Sequence, residues 1–301
     1  MFEAERLEEN EIARLRELSR LAKGDILTMT RLSGTGHPGG SISSLDIYLT
    51  LFSYAKLNEV PRDRIVVSHG HTSPGAYAAL SRLEYLPIEE VVAFFRKPGS
   101  PFEGHVVQGI PFLDWSTGNL GQGLSAGCGF AIASKVQRED NHVYVLMGDG
   151  EQQKGQIGEA RRFAKKYRLN NITVFIDFNR LQISGTIDSV MPQNIIENYL
   201  ADGWDVLEIN GHDFNDIYSA IRKTRMSDNP VCVIANTVMG NGISFMENKG
   251  KYHGSPLNEK EYTEALKELD IEDKLEYYKE KRKGVCGWQP SLCREEMSVN
   301  P

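Results

Sequence analysis

The chain has 301 residues, of which 40% are hydrophobic, 25% charged and 9% aromatic, a composition that supports a large core and excludes general disorder. Its formal charge of −7, from 41 acidic and 34 basic residues, speaks against a basic face that wraps nucleic acid, and the one basic cluster, RRFAKKYR at 161–168, has the spacing of a solvated helix face. No apolar run nears the roughly 18 residues of a membrane span, and the acidic start MFEAERLEEN lacks the basic region of a secretory leader, so a cytoplasmic protein is expected.

In chain order, 11–31 carries Ile12, Leu15, Leu18, Leu21, Ile26 and Met29 at helical spacing, with an interruption expected near Gly24. A glycine turn, GTGHPGGS, leads into a second helix over SISSLDIYLTLFSYA. Five short apolar runs follow at 64–68, 142–147, 172–177, 204–209 and 231–236, and helical patterns at 123–136, 157–168, 194–203 and 213–225 separate most of them. Strands apolar on both faces and alternating with helices predict a mostly parallel sheet in a three-layer α/β/α fold, with ligands outside the carboxyl ends of the strands. No Pro/Ser/Gly-rich linker divides the chain, so one α/β domain is expected over 1–283: helices at 1–55, sheet and loops at 56–257, charged helices at 258–283 and a loose tail at 284–301. Cys128 and Cys232 lie in apolar segments and read as buried free thiols; Cys286 and Cys293 fall in the tail without zinc-like spacing.

The second strand ends in VYVLMGDGE, with Asp149 held between Gly148 and Gly150. Glycines after a strand suit an anion, yet neither GxxxxGK[ST] nor GxGxxG with its distant acid occurs here. A carboxylate beside a phosphate needs a cation between them, and Mg²⁺ or Ca²⁺ takes one or two protein oxygens while phosphate and water supply the rest. Asn179, at the end of the next strand in ITVFIDFNRLQISG, supplies a neutral oxygen. Histidines also stand in glycine turns far apart in sequence, in TGHPGG (His37), SHGHTSPG (His69, His71), FEGHVV (His105) and KYHGSP (His253). If those turns share one sheet edge, the imidazoles converge.

Together GTGHPGG, SHGH, EGH, STGNLGQG, GDGEQQKGQ, DFNRLQISG and YHGSPL, in this order over about residues 30–257, make the chain resemble the amino-terminal half of a transketolase. The resemblance implies thiamine diphosphate as cofactor and a divalent metal (Mg²⁺, or Ca²⁺ or Mn²⁺) held by Asp149, Asn179 and the Leu181 carbonyl. It also implies that His71, Gly150 and His253 contact the diphosphate, that Gly118 and Leu120 lie against the aminopyrimidine, and that Ile183 packs on the cofactor's rings. His37, His71, His105 and His253 would line the channel to the reacting carbon, where imidazoles can donate and accept protons near neutral pH.

The same resemblance implies a second, separately encoded subunit, because the glutamate that activates the cofactor and the arginines that grip a sugar phosphate belong to the family's other half. An α2β2 assembly with reversible two-carbon ketol transfer in the pentose phosphate pathway is expected. The sequence departs from the family at Lys154, where transketolases usually carry a glutamate of a network linking the two active sites; Glu159 remains, and Lys154 is expected to pair with a partner carboxylate. FEGHVV also lacks the usual proline after its histidine, and Asn119 stands where proline is common. Two other readings stay open: membership of a related thiamine diphosphate enzyme (deoxyxylulose phosphate synthase-like or 2-oxo acid dehydrogenase), and a non-catalytic cofactor-binding subunit.

Overall fold

The computed structural model describes residues 4–290; Cys293 and the rest of the expected tail lie outside the described residues. Before the first strand run α1 (Glu9–Ser33), α2 (Pro38–Ser43) and α3 (Leu45–Tyr54). Then come β1 (Arg64–Val67), α4 (Ser73–Arg82), α5 (Ile88–Phe94), α6 (Gln122–Gln137), β2 (Val143–Gly148), α7 (Gly155–Lys166) and β3 (Ile172–Phe178). A short hairpin of β4 (Leu181–Gln182) and β5 (Gly185–Thr186) leads to α8 (Ile187–Val190), α9 (Ile195–Ala201), β6 (Asp205–Asn210), α10 (Phe214–Thr224), β7 (Val231–Asn236), α11 (Glu259–Glu268) and α12 (Leu275–Arg282).

The main sheet has the order β1-β2-β3-β7-β6, and every pair in it is parallel. Successive side chains of a strand face opposite sides, so the central strands divide their apolar residues between two cores. Tyr144, Leu146, Phe175, Val231, Val233 and Ala235 pack with α1, α3, α4, α5 and α10. Val143, Val145, Met147, Ile172, Val174, Ile176, Cys232 and Ile234 pack with α6, α7 and α9. Burying each such aliphatic side chain contributes about 1.5–3 kcal/mol, and both faces must be covered to collect it. The result is the expected three-layer α/β/α arrangement. β6 departs from it as an edge strand, with Asp205, Glu208 and Asn210 exposed.

Gly24 does not interrupt α1. A Cβ there would lie 2.6 Å from Ile271 Cδ1, so the glycine admits a close neighbour rather than breaking the helix. The expected second helix is two helices meeting at Ser44, the first beginning with Pro38, whose fixed φ and missing N–H suit a first turn. The charged stretch 258–283 is likewise two helices; α11 opens on a capping box between Asn258 and Glu261, and Asp270 (φ 51°) turns the chain out after it. α4 escapes a periodicity reading because nearly all of its small and apolar residues are buried. Residues 284–290 are irregular but not loose: Trp288 stacks on Phe102 with ring centroids 5.2 Å apart, and the Gly287 N–H donates to Glu90. No helix of the described residues is long and apolar enough to cross a membrane.

Candidate active site

The carboxyl ends of β1, β2, β3 and β7 lie side by side, and the register Gly148↔Asp177 sets the two central exits level. Asp149 follows directly and is 2% exposed. Its Oδ1 accepts the Gly150 N–H at 2.6 Å and its Oδ2 the Arg180 N–H at 2.5 Å. Burial, and after it the neighbouring Asp177 charge, pushes the Asp149 carboxyl up to about 8. A carboxyl so placed is costly to ionise unless a cation joins it.

Asp177, also buried, accepts hydroxyls from Ser43 (2.5 Å), Ser44 (2.6 Å) and Thr237. Ser43 Oγ in turn accepts the Asn179 amide at 3.2 Å, while Asn179 Oδ1 accepts the Leu181 N–H at 2.9 Å. Asp177 thus orients Asn179 through one serine. His69 Nδ1 lies 2.9 Å from the Leu146 carbonyl, so it carries the proton, and Nε2, 3.0 Å from Ser44 Oγ, is the acceptor. The Ser44 hydroxyl therefore stands between two acceptors, Asp177 and His69. Of the histidines in the glycine turns, His69 is the structural one, buried with Nδ1 on the Leu146 carbonyl and Nε2 beside the Ser44 hydroxyl, whose single proton serves either Asp177 or His69.

Asp149, Gly150, Asn179, Leu181, Ile183, Leu120, His71 and His253 all line one cavity of about 340 Å³. Ile183 is 74% exposed at its rim. His37 meets the rings of His71 and His253 at centroid distances of 5.0 and 5.8 Å, so three imidazoles brought from distant loops touch. His105 stands in an adjoining cleft, its ring near Gly70, and Gly118 is exposed in the turn before α6 rather than in the cavity wall. Burial lowers all four histidines first; in His37, pushed down to about 4, the charges of His253 and Arg96 add to it. They are neutral at physiological pH.

Glu151, Asp177 and Arg96 were not singled out by sequence reasoning. Glu151 is 2% exposed and collects Ser68 Oγ (2.7 Å), the Gly121 N–H (2.5 Å) and the Gly148 N–H (2.9 Å), which ties β1, β2 and the turn into α6. Burial raises its carboxyl to about 7 against the lowering effect of those donors. The only cue in sequence was its adjacency to GDG. Lys154 is exposed at the cavity rim.

The donor set is hard and sparse: one carboxylate, one amide oxygen and one backbone carbonyl. No cluster of three His, Cys, Asp or Glu that could hold a metal alone occurs among the described residues. This suits an ion whose remaining ligands come from a diphosphate and water. Three buried polar atoms of the site, His37 Nδ1, His253 Nδ1 and Gln182 Nε2, have no partner, as a cavity shaped for a polar ligand requires.

A doubly covered parallel sheet with such a carboxyl-edge site defines a cofactor-binding α/β protein. The chain belongs to the transketolase family: the model of the transketolase thiamine diphosphate-binding domain matches residues 19–282. It is 38% identical over 242 residues to one subunit of the apulose-4-phosphate transketolase of Phocaeicola vulgatus, covering 78% of this chain and 86% of that one. It is 36% identical over 250 residues to one subunit of the 6-deoxy-6-sulfo-D-fructose transketolase of Clostridium sp. (strain MSTE9), covering 79% and 90%. The crystal structure of transketolase from Campylobacter jejuni superposes with a TM-score of 0.80 at 29% identity, over 90% of this chain but only 45% of that one.

Proposed function

We propose that this chain is the diphosphate-binding subunit of a two-chain transketolase, which moves a two-carbon ketol unit reversibly from a ketose to an aldose. One observation carries the reading: two buried carboxylates, Asp149 and Asp177, adjoin without a counter-ion among the described residues, beside three touching neutral imidazoles. Asp149, Asn179 and the Leu181 carbonyl would hold Mg²⁺ (or Ca²⁺ or Mn²⁺), with Asp177 orienting Asn179. Gly150, His71 and His253 would meet the diphosphate, and Gly118, Leu120 and Ile183 the cofactor's rings. Thiamine diphosphate, when bound, supplies the electron sink for carbon–carbon cleavage. The chain's own part is to orient the sugar and move protons among its hydroxyls. Neutral His37, His71, His105 and His253 can do so, each with one nitrogen that donates and one that accepts.

The subunit names of the relatives, each matched over most of its own length, support a separately encoded partner. It would bring the activating glutamate and phosphate-binding residues in an α2β2 complex, and Lys154 at the rim would face one of its carboxylates. Sugar phosphates of the pentose phosphate pathway in the cytoplasm are the substrates this reading assigns; the three free buried thiols among the described residues suit that reducing compartment. The test mixes the chain, the partner, thiamine diphosphate and Mg²⁺ with xylulose 5-phosphate and ribose 5-phosphate. Ketol transfer requiring both chains is expected, and a complex that cleaves no ketose sinks the reading. In that complex Lys154→Glu should lower turnover by placing two acids together; a strong gain would show that the lysine has no such partner.

A further inference from the structure

Between α5 and α6 the chain runs from 95 to 121 without a helix or a strand of the main sheet, and His105 lies within this stretch. So long a loop has no hydrogen-bond ladder of its own and depends on side chains and packing for its shape. Part of that support is local. Phe102, Val106, Ile110 and Leu113 are buried in the core. The Val106 N–H donates to the Gly70 carbonyl at 3.3 Å, beside His71, and the Phe102 carbonyl accepts the Arg96 N–H at 2.8 Å. His105 is held by its backbone: its carbonyl accepts the Tyr77 hydroxyl of α4 at 3.3 Å, while its ring has no hydrogen-bond partner among the described residues. The loop therefore decides where the imidazole stands.

The rest of the support comes from residues 284–290, which lie past the part of the chain that the family's domain model matches. Trp288 stacks on Phe102 with centroids 5.2 Å apart and planes 23° apart, and Phe102 meets Tyr77 edge to face at 6.0 Å. A column of three rings thus runs from the C-terminal segment to the hydroxyl that holds His105. Aromatic pairs prefer particular offsets and angles, so such a column fixes orientation as well as filling space. The segment is itself pinned. Lys97 donates to the Arg282 and Gly284 carbonyls, the Gly287 N–H donates to Glu90 at 2.9 Å, and Cys286 is buried. Pro290 lies against Gly109, where an added Cβ would stand 3.2 Å from it. Arg282 donates to the carbonyls of Ala93 (2.7 Å) and Phe95 (2.9 Å), which the end of α5 leaves open.

We infer that Trp288 is a positioning residue for His105: through Phe102 and Tyr77 it sets the loop so that the imidazole meets the sugar. The inference rests on the ketol-transfer reading for what His105 does, while the hold of the ring column on His105 stands on the fold itself. A shift on the order of 1 Å in a positioned group can cost about 100-fold in rate. None of the three rings lines the cavity of Asp149, Asn179, His71 and His253, so cofactor binding is separable from this effect.

Two measurements test it. In the reconstituted complex, Trp288→Ala should lower kcat about 10- to 100-fold while the Kd of thiamine diphosphate changes by less than about twofold. Trp288→Phe, which can still stack, should recover most of the rate. Tyr77→Phe keeps the ring and removes the hydroxyl; it should also lower kcat, and the double variant Trp288→Ala/Tyr77→Phe should lose less than the product of the two single losses. An unchanged kcat, an equal fall in rate and cofactor affinity, or losses that simply multiply overturn the inference. Independently of turnover, the His105 imidazole resonances of the full chain, assigned by their disappearance in His105→Ala, should move in Trp288→Ala and in Tyr77→Phe. They should return toward the wild type in Trp288→Phe, with His142 at the other end of the sheet unmoved throughout. Unmoved His105 signals sink the inference even where ketol transfer is confirmed. Moved signals in a complex without ketol transfer uphold the positioning and remove only the role assigned to His105.

Discussion

The two ends of the sheet treat buried charge in opposite ways. At the amino end, Asp63 is fully buried and answered three times, by Arg225 (2.6 Å) and by the N–H groups of Lys56 and His142 (both 2.8 Å). Nearby, Asp114 is gripped by Arg62 and Arg64 and accepts the Ile65 N–H. Asn141 and Asn171 each leave an amide oxygen free there, but neither of these buried acids stands alone. At the carboxyl end, Asp149, Glu151 and Asp177 are buried with hydroxyl and N–H donors and no ion pair among the described residues. A closed network stabilises the fold, whereas the open one leaves the Asp149 carboxyl buried without a counter-charge among the described residues.

A pair of deletions separates the two ends of the sheet most strongly. Asp63→Ala should destabilise the chain by about 3–5 kcal/mol, because Arg225 would be left buried and unpaired; equilibrium denaturation measures it. Asp149→Ala should leave denaturation near that of the wild type or raise it, while Mg²⁺-dependent thiamine diphosphate affinity in the complex falls at least about 100-fold by calorimetry. Equal destabilisation by both would erase the distinction between the two ends.

Smaller effects sharpen it. Glu151 receives donors only, so Glu151→Gln turns an amide group toward them at a cost of about 1–3 kcal/mol. The Gly121 turn should loosen, and cofactor should bind roughly tenfold more weakly. An unchanged affinity would show that the turn does not need its anchor. Smallest is a proton effect at the closed end. Burial holds His142, bonded to Thr173, down at about 3, against an ordinary 6.5. Below 6.5 the unfolded chain binds a proton that the native chain refuses, so this share of stability is complete above 6.5 and is lost as pH falls toward 3, by at most about 1.4 kcal/mol per unit. Denaturation between about pH 7 and 5 should slope less in His142→Gln than in the wild type, and identical slopes would refute the assignment.

Much of this was legible in the sequence. The central strands stood out because both faces are apolar, and the glycine turns after them marked the edge where ligands gather. Asp149, His37, His71 and His253 could be named because each sits in a short glycine-bearing turn, and Asn179 because it follows the next strand. Asp177 could not, since it ends a strand and acts through Ser43, 134 residues away, a contact only the fold creates. α4 was missed because wholly buried helices lose their period, and 284–290 was misjudged because its docking rests on Trp288 meeting the distant Phe102.

On the proposed function, the open carboxyl edge would hold a divalent ion and, through it, a diphosphate. A crystal structure of the assembled complex with thiamine diphosphate and Mn²⁺, phased to show the metal's anomalous signal, reads this directly. One peak bounded by Asp149, Asn179 and the Leu181 carbonyl, with diphosphate oxygens on its open side, is expected. A peak elsewhere, or cofactor bound with that position empty of metal, would contradict it.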